Sequence, residues 1–241
     1  MGSSEITPPF IAHQATAQEN EKQIKNPKMT YVMIDAEADG PIPGDYSMIS
    51  FGAVITKPAN AGFESNTPAI RQEYLIVDDA LDKTFYGRLR PITEKYVPEA
   101  LKVSGHTREE TLGFDEPEKV MMEFAAWIRY SCQGRSIALK SGAAAFSIRE
   151  NCKDRPIFIS DNNGFDWMFV CWYFHHFLNE NQFGHSSQNL GSLYKGLVKD
   201  TFKNFKHLRK TKHTHNPVDD ARGNAEALLT MIKENGLRVK L

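Results

Sequence analysis

The run YVMIDAEADG, residues 31–40, ends an apolar, strand-forming stretch with two acids, Asp35 and Glu37, only two positions apart. Side chains at i and i+2 of a strand share a face, so these carboxylates would lie side by side. Like charges that close repel, and a buried pair forces one acid to take up a proton. Any fold this chain adopts must therefore accommodate paired negative charge at the end of its first strand. A bound divalent cation would do so.

Around that strand the apolar pattern sets out an α/β order. TYVMID is followed by the turn-forming ADGPIPGDY and then by SMISFGAVI, whose Ile49, Phe51 and Ala53 alternate with Met48, Ser50, Gly52 and Val54; both read as buried strands. QEYLIVD is expected as a third strand, after a loop containing Pro58, Gly62, Asn66 and Pro68, and the short connections suggest an antiparallel meander. TEKYVPEALKVSG and DEPEKVMMEFAAWIRY are predicted helices. In the second, Asp115 is placed to cap, Pro117 suits the first turn, and Val120, Phe124, Trp127 and Ile128 form an apolar stripe.

Farther on, RPIFISD reads as a short strand running into the apolar helix NNGFDWMFVCWYFHHFL, which argues for βα packing. HNPVDDARGNAEALLTMIKENG closes the chain as a helix with Asn216 as N-cap, Pro217 at N1 and Gly236 near C′. The expected order is βββ, α, α, β, α, a basic segment, α. Residues 131–155 mix Gly, Ala, Ser and charges without a period and are expected to be an excursion. Residues 1–29 are polar and contain Pro8-Pro9; they are expected to be a disordered leader, with 30–241 as a single domain.

Composition excludes little beyond the extremes. With 41% hydrophobic, 24% charged and 11% aromatic residues the chain matches ordinary soluble proteins. A formal net charge of -1 gives no global pull toward nucleic acid, so attraction for phosphate must come from a local patch or from metal ions. Cys132, Cys152 and Cys171 form no CxxC pair or disulfide framework and suit a reducing compartment. No stretch approaches the roughly 20 apolar residues of a membrane span, and the N-terminus lacks a signal-peptide core. A cytoplasmic location is the expectation.

Four acids stand where apolar elements end or begin: Asp35 and Glu37 after the first strand, Asp166 at the head of the apolar helix, and Asp220 in the first turn of the last helix. Taken singly, Asp166 and Asp220 could simply favour the positive ends of their helices, worth roughly 0.3 to 1 kcal/mol each. His215 lies five residues before Asp220, so the two can converge on one point. An imidazole, with an ordinary pKa of about 6.5, is equipped to accept a proton beside an acid cluster.

The series IDAEADG with MISFGAV, then SGHTREE, then NNGFDW, then HNPVDDARGNAEAL resembles the DEDDh 3′–5′ exonucleases, a ribonuclease-H-like group that includes the proofreading subunits of bacterial DNA polymerases and small exoribonucleases. The resemblance spans roughly residues 30–235. It implies a mixed β-sheet of about five strands flanked by helices. It also implies that Asp35, Glu37, Asp166 and Asp220 bind two Mg²⁺ or Mn²⁺ ions, oxygen-rich ligation favouring these hard cations, and that His215 is the general base. The implied reaction removes nucleoside 5′-monophosphates from a free 3′ end of RNA or DNA, single-stranded or overhanging. A homodimer is among the assemblies it implies, since some small relatives pair.

Two departures bear on substrate contact. Ala36 and Ala38 stand where many relatives carry threonines, which would alter recognition of the terminal nucleotide; His106, in SGHT, replaces a common aliphatic residue and is a candidate to stack on the terminal base. Asp219 and Asp161 are neighbouring acids, and the family interval after His215 and the GFD context select Asp220 and Asp166 instead.

From Lys195 to Lys212 there are seven Lys or Arg residues against one acid, Asp200. Lys195, Lys199, Lys203, Lys206 and Lys210 recur every three or four positions, the pattern of one helical face, with Phe202 and Phe205 between them. Lys203, Lys206 and Lys210 are candidates for a phosphate-tracking rim; a solvated helix with both phenylalanines turned inward is the plainer alternative. Two other functions stay open at this point: a non-catalytic nucleic-acid-binding module on the same fold, and a hydrolase of very short oligonucleotides or signalling nucleotides.

Overall fold

A computed structural model describes residues 28–56, 83–133 and 154–239. Their strands are β1 Lys28–Ala38, β2 Met48–Thr56, β3 Thr84–Arg88, β4 Asp154–Ser160 and β5 Ser187–Asn189. They form one mixed sheet in the order β3-β2-β1-β4-β5. The β1–β2 and β2–β3 pairs are antiparallel, whereas β1–β4 and β4–β5 are parallel. The helices are α1 Pro98–Val103, α2 Arg108–Leu112, α3 Pro117–Gln133, α4 Asn163–Leu178, α5 Leu190–Val198 and α6 Pro217–Glu234. This is the mixed, helix-flanked sheet with an antiparallel opening that the sequence led us to expect.

The central strand, β1, serves two cores because its side chains alternate. Val32, Ile34, Ala36 and Ala38 pack on one side with Phe124 and Ile128 of α3 and Phe169, Val170, Tyr173 and Phe174 of α4. Tyr31 and Met33 pack on the other with Ala221, Ala225, Leu228 and Leu229 of α6. The same alternation carries Asp35 and Glu37 to the α6 side.

One glycine sets how near α6 can come. Gly52 is the β2 partner of Asp35. A Cβ on it would lie 2.3 Å from the backbone carbonyl of Pro217 and 2.4 Å from the nitrogen of Val218. Only a residue without a side chain lets the first turn of α6 rest on the strand at that level, and that turn holds Asp220.

Several expectations need adjusting. The predicted TEKYVPEALKVSG helix shrinks to Pro98–Val103, since Val97 before the proline is extended. SGHTREE supplies the unpredicted α2 through a capping box, in which the Thr107 hydroxyl and the Glu110 carboxylate each accept the other's backbone N–H. The carboxylate of Asp115, expected as the cap of α3, takes the Lys119 ammonium at 2.7 Å. The expected strand QEYLIVD, residues 1–27 of the leader and most of the 131–155 excursion lie outside the described residues; Lys28 and Met29, expected in the leader, begin β1. The lysine series does not share a helical face: α5 stops at Val198, Lys199 turns left-handed at φ +55°, and only a short 3-10 turn, Lys206–Leu208, follows.

Candidate active site

The carboxylates of Asp35, Glu37, Asp166 and Asp220 come from three elements, and the proton affinities of the first three are raised. Asp35 is held well above the usual carboxylate range, by burial first and then by the charges of Asp166, Glu37 and Asp220, with Arg209 opposing. Glu37 is pushed up to about 7 by burial and by Asp220. Burial pushes Asp166 up to about 8, although hydrogen bonds from Ser160 and from the Ala36 N–H pull the other way.

Each acid is placed by its element. Asp166 sits in the first turn of α4, 2% exposed, and its Oδ1 accepts the Ala36 N–H at 3.1 Å, which ties the head of α4 to the end of β1. Its buried Oδ2 has no hydrogen-bond partner. Asp220, 1% exposed, is more fully engaged. Its Oδ1 accepts from Arg209 at 2.8 Å and from the Thr214 N–H at 3.2 Å, with His213 Nδ1 also 2.8 Å away, and its Oδ2 accepts the His215 N–H at 3.0 Å.

His215 stands at the mouth of α6, directly before Asn216, whose side chain accepts the N–H groups of Val218 and Asp219 and caps the helix. It holds the left-handed φ of +61°, rare for a residue with a side chain. The exposed His215 ring lies 4.3 Å from the His213 ring, and His213, His215 and Asp220 offer ligand atoms within 4.8 Å of one another.

Arg209 is the residue that sequence reasoning counted only as one basic charge among seven. Its side chain is 7% exposed and lies across α6 at Gly223, where a Cβ would come within 2.5 Å of Nε. The segment around it is clipped to α6 by Glu226, whose Oε2 accepts the N–H groups of Lys210 and Thr211 at 2.8 and 2.7 Å while Oε1 accepts the Thr211 hydroxyl. Neither contact has a periodic or motif signal, because both join a loop to a helix. Glycine and glutamate at Gly223 and Glu226, three apart on α6, are the nearest thing to a trace.

The remaining predicted positions fall differently. Ala36 and Ala38 are 6% and 5% exposed and belong to the α3/α4 core, on the opposite face from the acids. That corrects their place as side-chain contacts for substrate: strand alternation turns both methyl groups away, and only the Ala36 N–H, bonded to Asp166, reaches the site. His106 lies edge-on to Phe114 at 5.0 Å and lines a cavity of about 440 Å³ with Arg88, Glu110, Gly113, Phe114 and Asp115. Lys203, Lys206 and Lys210 are exposed on the loop that leads to Arg209 and beyond it. Asp219 bonds the Thr214 hydroxyl, and the Asp161 carbonyl accepts from Asn189.

The chemistry of these donors suits a divalent cation: carboxylate oxygens, one of them buried without a partner, on acids pushed toward protonation by burial first and then by neighbouring charge. Among the described residues no helix is long and apolar enough to cross a membrane.

No family model matches the chain. It is 28% identical over 212 residues, 84% of this chain and 91% of the relative, to the 3′–5′ DNA exonuclease Cap18 of Escherichia coli. Its fold is shared with the nuclease domain of 3′hExo, a DEDDh family member solved with rAMP, at a TM-score of 0.57 and 15% identity over 89% of this chain and 98% of that one. It is also shared with a zinc-bound complex of E. coli ExoI with single-stranded DNA, at a TM-score of 0.53 and 16% identity over 86% of this chain and 41% of that one.

Proposed function

We propose that the chain is a DEDDh-type 3′–5′ exonuclease in which Asp35, Glu37, Asp166 and Asp220 hold two Mg²⁺ or Mn²⁺ ions while His215 serves as general base, a reading supported by its fold and its sequence likeness. The observation that carries this reading is the convergence of four carboxylates, three of them held above their ordinary pKa by burial and mutual charge. Bound there, the ions supply the charge that stabilises an attacked phosphodiester and lower the pKa of a water.

The chain's own residues do the rest. His215, exposed on a turn whose N–H is fixed to Asp220, can reach toward solvent to accept the proton of the attacking water. Asp166 stays aimed at β1 through the Ala36 N–H, so α4 cannot rotate its acid away from Asp35. Arg209 and Glu226 keep the loop before His215 against α6. A pure binding module is disfavoured, because four clustered carboxylates facing phosphate repel the strand that they would have to hold. Likeness to a DNA exonuclease supports DNA as the substrate, cut one nucleoside 5′-monophosphate at a time from the 3′ end.

Matched 5′-labelled DNA and RNA oligonucleotides, digested with Mg²⁺, Mn²⁺ or EDTA, test this directly. DNA should shorten from its 3′ end only with an ion present. His215→Ala should lower kcat by about 100- to 10,000-fold. Undiminished digestion by His215→Ala would remove that residue from the mechanism, and RNA shortened faster than DNA would overturn the substrate assignment.

A further inference from the structure

We propose that Phe202, flanked by Lys199, Lys203 and Lys206, is a stacking platform for a base of the single strand several nucleotides upstream of the 3′ end in the active site. The proposal rests on the exonuclease reading above and adds to it where the rest of the strand lies.

Phe202 is 98% exposed, whereas the next most exposed large apolar residue among those described, Leu112, is at 54%. It is not a loose end. The Phe202 N–H donates to Asp200 Oδ1 at 3.0 Å, and the Lys206 N–H donates to Asn204 Oδ1 at 3.1 Å, so two side-chain-closed turns fix the loop between them. Three residues on, Phe205 is 1% exposed and seated in the α6-side core with Leu190 and Tyr194. Sequence alone pairs these two rings; the fold separates them, one as anchor and one held out to solvent.

The surroundings choose the occupant. Lys199, Lys203 and Lys206, all within four residues of Phe202, are exposed, and the one acid of the segment, Asp200, has an oxygen engaged by the backbone. An apolar protein surface would cover these ammonium groups without neutralising them, whereas a nucleic-acid strand brings a π-face for the ring and phosphates for the lysines. Phe202 precedes Arg209 by seven residues, and Arg209 bonds Asp220. Seven residues of chain reach at most about 25 Å. The 3-10 turn Lys206–Leu208 shortens that reach further. On this reading the ring lies within that bound, in reach of a longer strand whose end lies at the acids and beyond a dinucleotide.

The test compares oligothymidylates of 2 and 12 nucleotides in Mg²⁺. Phe202→Ala should raise KM for the 12-mer about tenfold, and by at least about fivefold more than any change for the dinucleotide. Phe202→Trp should restore the 12-mer KM, and Phe202→Leu, which keeps apolar bulk without a π-face, should not. Equal changes on both lengths, or rescue by leucine as complete as by tryptophan, would overturn the platform. The two readings fail separately. Wild-type protein that binds the 12-mer through Phe202 in a fluorescence anisotropy titration but hydrolyses neither length sinks the exonuclease reading alone; brisk digestion with wild-type kinetics in Phe202→Ala sinks the platform alone.

Discussion

The two faces of the sheet are built on opposite rules. The α3/α4 face is filled with aromatic rings: Phe124 alone packs against Phe51, Phe85, Trp127, Phe174 and Phe183, with centroids 4.7 to 6.3 Å apart. The α6 face is pared down. Gly52 lets the start of α6 rest on β2, Gly223 leaves room for the Arg209 side chain, Ala221 and Ala225 keep the buried face of α6 small, and acids occupy the ground that rings would have filled. Large rings bury area and stabilise. Small residues give up burial to gain placement, and here they place Asp220 against Asp35. The contrast teaches that bulk packing and the placement of charge fall on different sides of one strand.

Substitutions on the two faces should therefore fail in different ways. The largest effect expected is from Asp35→Asn, which should lower kcat at least about a thousandfold. It should also raise the melting temperature in EDTA at pH 8, because it removes a charge that the fold resists; a fall in melting temperature there would break the contrast. Phe124→Ala, on the other face, should cost about 3–5 kcal/mol in urea unfolding while the protein that remains folded keeps its kcat. Gly52→Ala should combine the two in reverse proportion. The added methyl pushes the start of α6 outward, and kcat should drop about 100-fold, against a stability loss of about 1–3 kcal/mol.

A smaller effect should be visible in pH. Asp35, Glu37 and Asp166 have folded-state pKa values raised above their ordinary ones, so between pH 4 and the folded values, about 7 for Glu37 and about 8 for Asp166, the native state binds more protons than the unfolded state. Metal-free protein should lose stability as pH rises through that window. Mn²⁺ should accordingly raise the melting temperature more at pH 8 than at pH 5, and an equal gain at both would show the acids are not the ligands. Smallest of all, Glu226→Gln should cost about 1 kcal/mol and lower kcat a few-fold with KM held, as measured by steady-state kinetics on one oligonucleotide.

What could be read from sequence follows the same division. β1, β2, β4, α4 and α6 were legible because long alternating or apolar runs, with Asn216 and Pro217 at the last helix's start, carry strong local signals. That Asp35, Glu37, Asp166, His215 and Asp220 stand at the ends of those elements follows from the same signals. β5 has only three residues, and α2 only five, too few to show a period, although T-x-x-E at Thr107–Glu110 marked the start of α2. The lysine repeat misled, because spacing of three and four among polar residues has no force without an apolar stripe to bury. Alternation along β1 turns Ala36 and Ala38 away from Asp35 and Glu37, into the core with Phe169 and Tyr173. Arg209, Glu226 and the outward turn of Phe202 depend on contacts between a loop and its supports, and no local pattern encodes them.

Arg209 lies in the space that Gly223 leaves open, with its guanidinium on Asp220 and its charge felt at Asp35. The cluster thus carries a built-in counter-ion of its own. One fixed positive charge offsets part of the repulsion among the acids within the fold itself, and ties the loop that carries it to the helix that carries Asp220.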